Sequence, residues 1–117
     1  MAKVATVSIL ILIGCGPHRT PYPESLNSQR PEERILAAKH AAQIGDRDVI
    51  GILVDRLEDD DEAVRMFAIL ALEKLTGTRH GYDYSDDQMN RGRAVQRWRR
   101  YVSEQSASSN PVAGGGE

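Results

Sequence analysis

The chain has 117 residues, which suits one small domain. Its 15 Lys and Arg residues nearly balance 17 Asp and Glu residues, giving a formal net charge of -2. This balance argues against a nucleic-acid partner or an acidic substrate, and the single cysteine excludes a disulfide bond within the chain.

The first fourteen residues have the pattern of a bacterial signal peptide. Lys3 gives a short basic start, and a mostly apolar run follows over residues 4–13. That run is too short to span a bilayer, which takes roughly 20 residues. The sequence Leu12-Ile13-Gly14-Cys15 then resembles the lipobox of bacterial lipoproteins. The alternative is an uncleaved apolar helix with an incidental cysteine.

The lipobox resemblance implies cleavage between Gly14 and Cys15 and acylation of Cys15. Several acyl chains hold a protein stably at a membrane, whereas one chain holds it only marginally. Gly16, rather than Asp, after the cysteine implies the outer membrane where a cell has one. We therefore expect an extracytoplasmic protein that is lipid-anchored in the cell membrane or the outer membrane.

Residues 15–30 are predicted to be the lipidated cysteine and a proline-rich tether. Pro17, Pro21 and Pro23 interrupt regular structure in a stretch with few apolar residues. We expect a solvated spacer that lifts a helical domain of residues 31–103 off the membrane.

Two short helices are predicted at the start of that domain. Pro31 fits the first position of a helix, and Gly45 fits its end. Asp46 is expected to cap a second helix that ends near Glu58. Connections this short fold neighbouring helices back on one another.

The third predicted helix, over residues 59–77, is the most apolar of the chain. Asp59 is expected to cap it in a capping box with Glu62, and Gly77 is expected to end it. Apolar residues cover most of its circumference, which indicates neighbours on both sides.

Residues 34–45 resemble residues 65–76 at an offset of 31 residues. A fixed period over paired helices is typical of a solenoid. An acidic turn followed by Val-Arg, then by Ala and Leu, resembles bacterial HEAT repeats, particularly the phycobilisome-lyase-like kind. The residues that carry the resemblance are Asp59, Asp60, Val64, Arg65, Ala68 and Leu72.

The resemblance extends over about residues 31–102, because Gly81-Tyr82-Asp83 and Arg97-Trp98 resemble the closing unit of such proteins. It implies an all-α, short HEAT-like α-α solenoid of about four antiparallel helices in two pairs. In such repeats the turn aspartates hold backbone N–H groups, and the arginine reaches acids on the adjacent repeat.

A last helix is predicted to begin with a capping box of Ser85 and Gln88 and to end near Ser103. Trp98 is expected on its inner side, over the central helix. The following residues, 104–117, are small, polar and glycine-rich, and we expect them to be disordered.

Two groups near the last helix are candidates for binding. Metal-capable residues in the preceding loop lack EF-hand spacing, so a solvated, helix-capping turn and no metal site are expected. Arg93, Arg97 and Arg100 are candidates for anionic lipid or glycan phosphate. The alternative is that the arginines of this helix serve its dipole or pair with acids such as Asp55 and Glu58.

The sequence has no Ser-His-Asp order, no paired-cysteine metal spacing and no glycine-rich phosphate loop. We therefore expect no catalysis and no cofactor, and predict a lipid-anchored HEAT-repeat adaptor that binds a protein partner at the bacterial cell envelope. Two repeats are few for a solenoid, so self-association or docking onto the partner is expected. The alternatives are a lyase-like enzyme or accessory subunit that handles a tetrapyrrole, and direct binding of anionic envelope lipid or glycan through the last helix.

Overall fold

A computed structural model describes residues 18–109 of the chain. This part is helical, with α1 at Pro31–Ile44, α2 at Ile50–Arg56, α3 at Glu62–Thr76 and α4 at Gln88–Ser109. Short 3-10 helices at Glu24–Asn27 and Arg47–Val49 precede α1 and α2. The expected all-α, HEAT-like fold is confirmed. The predicted signal peptide, Cys15 and the last eight residues lie outside the described part.

The helices form two layers around one core. In the first layer α1 packs beside α3, and in the second the Glu24–Asn27 turn packs on α2, which in turn packs on α4. The two layers meet where α2 packs on α3 and the Glu24–Asn27 turn packs on α1. Fully buried residues from every element fill the space between them, among them Leu26, Ala41, Leu53, Leu72 and Trp98.

Both glycines predicted to end helices do so. Gly45 has a φ of 67° and Gly77 a φ of 81°, in the left-handed region where glycine is favoured. The Gly77 N–H donates to the carbonyl of Glu73 at 2.7 Å, which satisfies one of the free carbonyls at the end of α3.

The start of α3 differs from the prediction. Asp61 caps the helix, because its carboxylate accepts the N–H of Val64 at 3.0 Å. Asp59 instead accepts the N–H of Asp61 at 3.0 Å and has a buried side chain. The predicted capping box of Asp59 and Glu62 is therefore wrong. Three consecutive aspartates offer the same capping chemistry, and packing selects among them.

Residues 20–30 pack on α1 instead of forming a solvated tether. Leu26 is fully buried, and the Tyr22 hydroxyl donates to the Asp46 carboxylate at 2.6 Å. The Thr20 N–H donates to the Glu33 carboxylate at 3.4 Å. The predicted spacer is therefore wrong over this range, since prolines that exclude a regular helix are accepted in a packed turn.

The connection between α3 and α4, residues 77–87, runs back along the length of α3 toward its N-terminal end. The Tyr82 hydroxyl donates to the Leu57 carbonyl at 2.5 Å, at the end of α2. The Arg65 Nε donates to the Tyr84 carbonyl at 3.3 Å, near the start of α3. As a result, the N-terminus of α4 lies near the C-terminus of α2 and the N-terminus of α3. The helix then runs antiparallel to its neighbour α2.

Both ends of α4 differ from the prediction. Asp87 caps the helix by accepting the N–H of Asn90 at 2.8 Å, so the predicted cap at Ser85 is wrong. The helix continues past Ser103 to Ser109, so the predicted disorder is wrong for residues 104–109. These residues include no helix breaker. The first one is Pro111, which disfavours helix at the residue before it.

Candidate protein-binding groove

The same arginine contact occurs at the start of three helices. Arg34, Arg65 and Arg91 each lie four residues after the residue at the helix N-cap, and Nη1 of each donates to a backbone carbonyl earlier in the chain. The acceptors are the carbonyls of Ser28, Asp59 and Asp86. Such a contact holds the chain that enters each helix, so α1, α3 and α4 begin with the same local structure.

The buried residues follow the same register. Counted from each arginine, the residues at plus three, plus four and plus seven are all buried: Ala37, Ala38, Ala41; Ala68, Ile69, Leu72; and Ala94, Val95, Trp98. The first two arginines are 31 residues apart and the last two are 26 apart. One fixed period therefore does not relate α4 to α1 and α3, and α4 follows α3 through residues 77–87 with no helix between them.

Asp59 connects the two repeats through buried ion pairs. Its side chain is 4% exposed and lies 2.9 Å from Arg34 of α1 and 3.3 Å from Arg56 of α2. The expected pairing of a repeat arginine with an adjacent acid therefore occurs at Arg34. Arg65 instead donates to the backbone carbonyls of Asp59 and Asp60, at 2.9 and 3.2 Å.

Trp98 and the loop before α4 cover the C-terminal end of the stack. The indole is fully buried, its Nε1 donates to the Arg79 carbonyl at 2.9 Å, and its ring meets His80 edge-on at 4.5 Å. Tyr82 of the same loop is also buried, and burial raises the pKa of the Tyr82 hydroxyl to about 12. Ala68, Leu72 and Trp98, singled out from the sequence, are thus core residues.

A groove lies open on the second layer, between α2 and α4. It consists of two adjoining cavities of about 440 and 470 Å³ that share Asp48, Gly51 and Val102. We call this surface the α2–α4 groove; its lining residues are Arg47, Asp48, Ile50, Gly51, Ile52, Val54, Asp55, Arg99, Tyr101, Val102, Ser103, Gln105, Ser106 and Ser109. Its length arises because α2 is short while α4 continues beyond it.

The groove has an apolar floor and a charged rim. Ile52 and Val54 come from α2 and Val102 from α4, and Gly51 leaves room for a side chain to approach α2. Along the rim Arg99 of α4 forms a solvent-exposed ion pair with Asp55 of α2 at 2.9 Å. Such a surface suits apolar side chains of another molecule surrounded by polar contacts.

Residues 23–96 match the family model for HEAT repeats. The chain belongs to the HEAT-repeat family. No curated protein and no solved structure matches it. The matched region begins before α1, which agrees with the structure: Leu26 precedes Leu57 by the same 31 residues, and both are fully buried. HEAT repeats generally mediate protein–protein interaction.

The arginines of α4, the last helix of this HEAT-repeat protein, differ from one another in the groups that they contact. Arg99 pairs with Glu58 at 3.2 Å as well as with Asp55, and Arg97 Nε donates to the His80 carbonyl at 2.8 Å. Within residues 18–109, Arg93 and Arg100 form no ion pair and are exposed. The structure thus engages Arg97 with the loop, and leaves Arg93 and Arg100 accessible to an anion.

The acidic loop of this HEAT-repeat protein organises the start of α4. Asp83 accepts the hydroxyl and the N–H of Ser85, and these hydrogen bonds lower the pKa of the Asp83 carboxyl. Asp86 and Asp87 both accept hydrogen bonds from Asn90. Across residues 18–109, no three His, Cys, Asp or Glu side chains are grouped in a way that could hold a metal ion, and no helix is both long and apolar enough to cross a membrane.

Proposed function

We propose that this HEAT-repeat protein is a lipid-anchored adaptor of the bacterial cell envelope that binds a protein partner in the α2–α4 groove and catalyses no reaction. The observation that carries the proposal is the groove itself, an apolar floor within a charged rim on a family of protein-binding repeats. The lipobox at residues 12–15 supports the anchor and the extracytoplasmic location.

The shape of the groove favours a helix of the partner. The two cavities follow the length of α2, and the exposed last turns of α4 form one wall. An amphipathic helix places apolar residues on one stripe, which fits a narrow apolar floor, and its flanking polar residues reach the rim. Asp48, in the 3-10 helix before α2, forms no ion pair among the described residues, so it favours a basic residue beside the stripe.

The charged residues of the groove support recognition rather than chemistry. Asp55 is held by Arg99, and Arg47 donates to the carbonyl of Leu75 at the end of α3. These contacts connect α2 to α4, and the 3-10 helix before α2 to the end of α3.

Partner capture tests the groove. Ile52→Asp and Val102→Asp each place a charge on the half-exposed floor, where it can still reach water. We expect a partner that crosslinks to the wild-type chain in intact cells to be lost in both variants. Leu70→Asp is the matched control, because Leu70 is an exposed apolar residue of α3 away from the groove. Equal capture by all three variants would contradict the proposed site.

The anchor is tested separately by metabolic labelling with a radioactive fatty acid. The wild-type chain should be labelled, and Cys15→Ser should not be. An unlabelled wild-type chain, or equal labelling of the variant, would refute the lipid anchor while leaving the groove untouched.

A further inference from the structure

Residues 20–22 are held against one side of α1. This side carries Glu33, Leu36 and His40, and we call it the outer side of α1. Thr20 donates to Glu33, the Tyr22 hydroxyl donates to Asp46, and the Tyr22 ring meets His40 edge-on at 4.8 Å. These contacts hold the segment along α1, from its first turn to just past its end, on the side that has no preceding repeat. The chain before Thr20 therefore leaves the domain from this side.

The inference rests on the proposed lipid anchor at Cys15. Four residues lie between Cys15 and Thr20, and the five backbone steps that join them span at most about 18 Å when fully extended. Helix axes in packed layers are about 8–10 Å apart, and α4 packs on α2 beyond α3, the neighbour of α1, so it lies roughly 20 Å further from the attachment point. A tether this short cannot reach around the stack, so the side that carries Thr20 must face the bilayer.

The same side of α1 has two of the four large hydrophobic residues that are exposed in residues 18–109; the other two are Leu70 of α3 and Met89 of α4. Leu36 is 59% exposed and Ile44 is 56% exposed, one on each side of His40 along the helix. Between the N-terminal segment and α1 lies a cavity of about 370 Å³ lined by Leu36, His40, Arg19 and other residues. Exposed aliphatic side chains gain free energy when they enter the boundary between headgroups and acyl chains.

The charges on this side are close to balanced. Arg19 and Arg30 line the cavity together with Glu32 and Glu33, and Arg30 lies 3.5 Å from Glu33. Attraction to anionic headgroups is therefore a minor contribution here. The short tether and the two exposed aliphatic residues are therefore the main reasons for the outer side of α1 to face the bilayer.

We propose that the outer side of α1 lies against the lipid surface, with Leu36 and Ile44 at the level of the headgroups. This orientation assigns α1 to the membrane and leaves the α2–α4 groove accessible to a partner. The binding surface for lipid is thus a different part of the stack from the arginine-rich α4.

The test uses the mature protein acylated at Cys15, reconstituted in vesicles of phosphatidylethanolamine and phosphatidylglycerol. A bimane label is attached at Leu36→Cys, at Ile44→Cys or at Ser106→Cys, and spin-labelled lipid in the same vesicles quenches the label by contact. All three positions are exposed, so the substitutions preserve the fold. We expect quenching at positions 36 and 44 to be several-fold stronger than at position 106.

A longer tether separates the geometry from other causes. Inserting a Gly/Ser linker of about 20 residues between Pro17 and His18 adds a mean span of about 25 Å. Quenching at positions 36 and 44 should then decrease. Equal quenching at the three positions, or quenching that the insertion leaves unchanged, would overturn the proposal. Mass spectrometry of the same samples detects the acyl chains, so a protein without acyl mass refutes the anchor, and an acylated protein without the quenching pattern refutes the orientation alone.

Discussion

Replacing Asp59 by alanine should be among the most damaging changes in the stack. The carboxylate is 4% exposed, and its two partners, Arg34 and Arg56, are 12% and 24% exposed. Removing one partner of a buried ion pair costs about 3–5 kcal/mol, because the remaining charges stay buried and unpaired. Since Arg56 can partly reach water, we take the lower end, about 3 kcal/mol. A native domain has only about 5–15 kcal/mol of stability in total.

Urea unfolding, followed by the fluorescence of the single buried Trp98, measures this loss. At about 1–1.5 kcal/mol per molar urea, the midpoint of Asp59→Ala should fall by about 2–3 M. Asp60→Ala is the matched control: Asp60 is exposed, and only its backbone carbonyl contacts Arg65. It should change stability by less than about 0.5 kcal/mol. Equal midpoints for the two variants would refute the assignment of Asp59 as the residue that joins the repeats.

Three further predictions concern the end of α3 and the closing unit. Gly77→Ala should lower the free energy of unfolding, measured in urea, by about 1–2 kcal/mol, because alanine is strained at a φ of 81°. An unchanged urea midpoint would contradict the left-handed end of α3. Tyr82→Phe should lose about 1–2 kcal/mol with the hydrogen bond to Leu57. The raised pKa of Tyr82 means that the stability supplied by its neutral form is complete below pH 10 and is lost as the pH rises toward about 12. This alkaline loss should be smaller in Tyr82→Phe, and identical pH profiles would count against burial of the hydroxyl. Replacing Arg93 and Arg100 by glutamine should leave the free energy of unfolding within about 0.5 kcal/mol of wild type, whereas a large loss would indicate an ion pair in the fold.

The helices of the stack were predictable because their signals are local. Pro31, Gly45 and Gly77 act through the backbone of a single residue, so their roles follow from the residue type. The repeat from α1 to α3 was visible because two copies share one period. The groove is formed by α2 and α4, which are distant in sequence, so no local pattern indicated it.

The errors arose where packing chooses among equivalent residues. Asp59 and Asp61 have the same capping chemistry, and only the positions of Arg34 and Arg56 decide which one turns inward. Residues 20–30 looked like a spacer because of their prolines, although Leu26 stands one repeat period before Leu57 and signals a buried position. Extending the comparison at an offset of 31 toward the N-terminus would have found it.

Crosslinking in intact cells tests the proposed function most directly. A photo-crosslinking amino acid is placed at Ile52 in the α2–α4 groove or, as a control, at exposed Glu62 on α3. We predict that position 52 gives one discrete adduct with a protein of the cell envelope, and that position 62 does not. A discrete adduct at position 62 with none at position 52, or adducts only with cytoplasmic proteins, would contradict an envelope adaptor that binds its partner in this groove.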